Sequence, residues 1–176
     1  MSLRILGTRV ALGALAAACA TVAAAQTPIP PSPKDFAAMS AQSDAYEIQA
    51  GRTAAAQTTD PRVRAFAQQM ILDHSQTSEA LGKAAVAAGL PPPPPAMNAD
   101  QSRMLSALQS QTGPDFDRAY VDQQVLAHTQ ALAVEQSFAA AGKEPNLRHT
   151  AEQAVPLIQH HLEMAQQLRA SLPPGP

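Results

Sequence analysis

Apolar side chains recur every three to four residues in four long stretches of the chain, the period of one helix face. Phe36, Met39, Ala50 and Ala54 mark such a face over 33–57. Val63, Phe66, Met70 and Leu81 mark one over 61–88. A broader arc over 114–141 carries Phe116, Tyr120, Ala127, Ala131, Val134 and Phe138, flanked by Val121 and Leu132. The last, over 145–171, carries Leu147, Ala151, Ile158, Leu162, Ala165 and Leu168. The stretches share their punctuation. Ser32-Pro33, Asp60-Pro61, Gly113-Pro114 and Glu144-Pro145 each stand at a start. Proline suits the first helical position, where the missing N–H has no partner to lose. Gly89 and Gly142 stand where two patterns stop, as C-terminal caps do. Pro156 falls inside the last stretch and predicts a kink there.

Between the second and third stretches the pattern changes. Pro91 to Pro95 form a run of five prolines, and Asn98-Ala99-Asp100-Gln101 has the form of a capping box opening a short helix to about Ser110. Five extended prolines at ~3.1 Å and some 13 helical residues at ~1.5 Å reach about 35 Å, most of the ~42 Å of a 28-residue helix. The other two connections are too short for that and must be hairpins. The expected fold is all-α: a ferritin-like four-helix bundle, two helical hairpins joined by a long crossover with a Pro run and a short helix.

Composition sharpens this picture. Aromatic residues make up 3% of the 176 residues, which disfavours a sandwich or barrel. A formal charge of -2 removes bulk charge as a reason to bind nucleic acid. Residues 1–25 read as a secretory signal peptide: Arg4 and Arg9, an apolar run from Val10 to Ala20, then Ala23-Ala24-Ala25, with cleavage before Gln26. A lipoprotein anchored at Cys19 is the minor alternative. Residues 26–33 form a Pro-rich lead, 34–171 the bundle and 172–176 a tail. Cleavage removes the single cysteine and leaves a chain of net charge about -4, destined for the periplasm or secretion, with no further stretch long and apolar enough to span a bilayer.

Chemistry enters through polar residues on the apolar faces. Glu47 lies on the first, His74 on the second, Gln124, His128 and Glu135 on the third, and His161 on the fourth. Counted from the proline that opens each helix, Glu47, His74, His128 and His161 stand 14, 13, 14 and 16 residues in. In two packed hairpins such mid-helix residues meet at one level. Glu47, His74, His128 and His161 are therefore the candidate metal ligands, suited to zinc, copper or a single iron. Asp73, Gln124, Glu135 and His160 are secondary members. A metal-free polar cluster, satisfied by its own hydrogen bonds, is the alternative; the protein then acts structurally, through an envelope or surface partner. A ferritin-type di-iron centre requires Glu-x-x-His on two helices. Ile71 and Ile158 stand where those glutamates belong, so ferroxidase chemistry is disfavoured and no catalytic residue is assigned. Met70 and Met164, close in sequence to His74 and His161, read as core filler before copper ligands.

The blocks Ala45-Tyr46-Glu47-Ile48-Gln49-Ala50-Gly51, Val63 through His74, Phe116-Asp117-Arg118-Ala119-Tyr120 with His128, and Pro156 with His160-His161-Leu162 resemble the bacterial family catalogued as domain of unknown function 4142. The resemblance spans about residues 34–170. It implies a ferritin-like bundle and export, often under the label of an outer-membrane protein, and implies no activity.

Overall fold

In a computed structural model, which describes residues 29–173, the described residues form five helices: α1 (Pro33–Gln57), α2 (Pro61–Ala87), α3 (Ala99–Gln109), α4 (Gly113–Ala141) and α5 (Pro145–Ser171). The signal segment 1–25, its Cys19, and residues 174–176 lie outside the described residues. The caps explain the boundaries. Ser32, Asp60 and Glu144 each accept a backbone N–H of the following first turn, at 3.2, 2.8 and 2.6 Å. Asn98 and Gln101 form the reciprocal capping box of α3. α4 differs: its N-cap is Thr112, without a side-chain bond, and Gly113 already belongs to the helix. Gly89 has φ +72°, the left-handed cap geometry. Gly142 does not; its φ is -62°. It is glycine for want of space, since a Cβ there would lie 2.5 Å from the Phe138 carbonyl oxygen and 2.6 Å from its ring. α5 continues through Pro156, which sits on its exposed side.

α1 and α2 form one hairpin and α4 and α5 the other; α2 packs beside α5 and α1 beside α4. One apolar cluster joins the end of α1 and start of α2 to the start of α4 and end of α5, through Ala54, Val63, Phe66, Phe116, Tyr120 and Ala165. The second joins the opposite ends through Phe36, Ala41, Leu81, Phe138, Leu147 and Ala151, with Phe36 and Phe138 stacked at 3.9 Å. The chain thus leaves the top of α2 and begins α4 at the other end, so the Pro run and α3 do cross the bundle. α3 lies over α1 and α4. Its Leu108 is buried, and the Gln123 amide ties it down by donating to the Met104 carbonyl while accepting from the Tyr46 hydroxyl. Between the two apolar clusters lies a layer of buried polar side chains.

One face of α1 departs from the sequence pattern. Met39 is 42% exposed. Ser40 and Asp44 point inwards instead, beside the expected Glu47. Phe36, Ala50 and Ala54 keep the expected face; it is shifted by one residue only at Met39, because the inner side there is polar where apolarity was the guide.

Candidate metal centre

The polar layer is built from one turn each of α1, α2, α4 and α5. His74, His128 and His161 are all buried, and their ring centroids stand 5.4–5.5 Å apart. One nitrogen from each lies within 4.8 Å of one from each of the others. Three points so spaced lie no more than about 2.8 Å from a common centre. Imidazole–zinc bonds are ~2.0–2.1 Å and set tetrahedral nitrogens ~3.3 Å apart, so a small rotation of the rings closes the set on an ion.

Each ring is held from behind by an oxygen. His74 Nδ1 lies 2.9 Å from Asp44 Oδ1, which also accepts from the Thr77 hydroxyl. His128 Nδ1 lies 2.9 Å from the Gln124 carbonyl oxygen, one turn earlier in α4. His161 Nε2 lies 2.8 Å from Asp73 Oδ2 across the α2–α5 seam. Oxygen acceptors fix the tautomer, because the nitrogen facing each must carry the hydrogen. The lone pairs then fall on His74 Nε2, His128 Nε2 and His161 Nδ1. All three of these nitrogens are buried without a hydrogen-bond partner. Unpaired buried polar atoms are costly, and three in one cluster ask for a ligand.

The charges agree. Among the described residues no lysine or arginine is buried, whereas Asp44, Glu47, Glu135 and Asp117 are. Burial pushes the Glu47 carboxyl up to about 7, against the nearby His74 and the Gln124 amide, which favour its charge. Burial holds His128 down at about 3, with the His74 charge adding to it. His161 is held at about 4 by burial and by His74, which outweigh Asp73. Burial also works against a charged His74, but the Asp44 hydrogen bond and the surrounding carboxylates overcome it and raise its pKa. Near neutral pH the metal-free trio thus carries at most one positive charge, on His74, and the other two rings stay neutral and able to coordinate.

The four expected ligands are not placed alike. Glu47 stands behind His128: its Oε2 accepts from the Gln124 amide at 2.6 Å, and its Oε1 is 3.7 Å from His128 Nδ1, the nitrogen turned to the Gln124 carbonyl. The Gln124 amide thus holds one oxygen of the carboxylate that equal helix height had put with the rings, and the other, Oε1, is buried without a partner. Asp73, set about 100° round the helix from His74, reaches across to α5. Gln124 supplies both a side chain and a carbonyl to the layer. Glu135 lies apart, accepting from Ser40 Oγ at 2.6 Å, and His160 is exposed. Asp44, which anchors His74, has no sign in the apolar pattern; its spacing of three from Glu47 and four from Ser40 is the only cue.

The sequence profile of a family described as a domain of unknown function, DUF4142, matches residues 18–168. The chain belongs to the DUF4142 family. This DUF4142 protein is also similar to the crystal structure of a DUF305 fragment from Deinococcus radiodurans, at 17% identity and a TM-score of 0.70, over 82% of this chain and 99% of that one. Such identity speaks to the fold, an all-α bundle. No curated protein matches the chain. Among the described residues of the DUF4142 bundle no helix is long and apolar enough to cross a membrane, and the three buried histidines form a group able to hold a metal ion.

Proposed function

We propose that this protein is exported and holds one transition-metal ion through His74 Nε2, His128 Nε2 and His161 Nδ1. The observation that carries the reading is the set of three unpartnered, buried ring nitrogens, each opposite a nitrogen already fixed by oxygen. An all-imidazole set suits zinc, copper or a single iron. Three protein ligands leave a position for a water, as in catalytic rather than structural zinc sites. The test is a titration of the chelator-stripped chain with Co²⁺, Zn²⁺ and Cu²⁺. One equivalent bound tighter than micromolar supports the reading, with binding lost in the His74→Ala, His128→Ala double variant while helicity is retained. Absence of binding at micromolar metal refutes it.

A second reading keeps the same layer metal-free, as the polar interior of a structural envelope protein. It is favoured by the oxygen partner that every ring already has. It predicts that replacing the histidines alters stability alone. Export itself rests on Arg4, Arg9, the apolar run and Ala23-Ala24-Ala25. Recovery from the envelope fraction of a chain beginning at Gln26 supports it, and a chain starting with lipid-modified Cys19 supports the lipoprotein alternative. An intact amino terminus in the cytosol contradicts both.

A further inference from the structure

The rings of the trio expose 3% of their side-chain surface or less. An ion can reach them only where helices part. The α1–α2 seam is tight: at Gly51 even a Cβ would come within 2.9 Å of Ile71 Cγ1 and 3.0 Å of the Ala67 carbonyl oxygen. The α1–α4 seam is roofed by α3, and its opening of about 130 Å³ ends on Ser40 and Glu135, reaching neither a ring nor any oxygen that holds one.

The α2–α5 seam is different. Two grooves of about 690 and 360 Å³ run along it, and Asp73 is the one residue that lines both. Each groove carries a further imidazole, His160 in the first and His149 in the second. Asp73 is itself 13% exposed, the outermost link of the polar layer. Its Oδ2 accepts from His161 Nε2 at 2.8 Å and from the Gln69 amide at 2.7 Å; among the described residues Oδ1 takes no donor. A cavity of about 20 Å³ beside His74 shares Thr77, Thr150 and Ala154 with the second groove, and Ser40 and Glu135 with the α1–α4 opening. Asp73 thus touches solvent on one side and, through His161 Nε2, the buried cluster on the other.

We infer that the α2–α5 seam is the loading route for the metal, with His160 as an outer ligand that captures the ion and the Asp73 carboxylate as the charge that draws it inward past His161. This rests on the trihistidine reading. Asp73 also orients His161, so its substitution changes affinity as well as rate. The test therefore uses neighbours that touch no ring. Gln167 is exposed at the first groove and Gln130 at the α1–α4 opening.

Stopped-flow mixing of the full chain with Co²⁺, followed by extraction with EDTA, gives both rates. Gln167→Lys slows association and extraction by the same factor, about threefold or more at low salt and less at high salt, as expected for a charge repelling a cation. His160→Ala slows both without salt dependence. The dissociation constant stays that of the parent, and Gln130→Lys changes neither rate. Parent-like rates in Gln167→Lys and His160→Ala, or equal slowing by Gln130→Lys, overturn the route while leaving the trihistidine site standing. A parent chain that takes up no cobalt overturns both.

Discussion

Glu135 is a carboxyl group with 5% of its surface exposed. Its Oε1 accepts from Ser40 Oγ at 2.6 Å, and its Oε2 is buried without a partner. Burial pushes its pKa from 4.5 to about 7, against the Ser40 hydrogen bond and with help from the Asp44 charge. A carboxyl whose pKa is higher folded than unfolded favours the fold when protonated. Its stabilising contribution is complete below pH 4.5 and is lost as pH rises through 7. At 1.36 kcal/mol per unit, the shift corresponds to about 3 kcal/mol between pH 4.5 and pH 8, as an upper figure. Glu135→Gln keeps an acceptor for Ser40 and removes the titration. Urea unfolding of both chains in excess EDTA, at pH 5 and pH 8, reads the difference. The parent should lose about 2–3 kcal/mol more than the variant over that interval. Parallel pH profiles would falsify the assignment of Glu135 as a group held neutral by burial.

Gly142→Ala should cost about 1–3 kcal/mol, read as a lower urea midpoint, because the new methyl meets the Phe138 carbonyl and the ring stacked on Phe36; metal affinity should not change. Asp44→Asn should weaken Co²⁺ binding ~10–100-fold by loosening the tautomer and orientation of His74, measured by competition with a chromophoric chelator. Zinc at 100 times its dissociation constant should raise the unfolding free energy of the parent by ~2.7 kcal/mol, and should do nothing for His128→Ala.

The helix ends were legible because they are written in local chemistry: a capping side chain, a proline at the first turn, a left-handed glycine. The topology was legible from lengths, since only the connection with Pro91–Pro95 and α3 reaches across the bundle. The three histidines were legible as a set because mid-helix residues of antiparallel neighbours share a level. What escaped depends on which side chain wins a partner. Asp73 bonds His161 from 88 positions away, and no spacing within α2 encodes that. Glu47 shares the level of the rings, but Gln124 on α4 takes one of its carboxylate oxygens. On α1, weighing positions by apolarity chose Met39 over Ser40 and so hid Asp44, whose burial makes sense only once His74 is opposite it.

The central claim is a shell of three imidazole nitrogens. X-ray absorption of the zinc-loaded chain measures it most directly. The account predicts one zinc per chain with three imidazole scatterers at ~2.0–2.1 Å, and loss of the imidazole signature in the His74→Ala, His128→Ala variant. A shell with no imidazole, or zinc that shows the same spectrum in the variant, would contradict it.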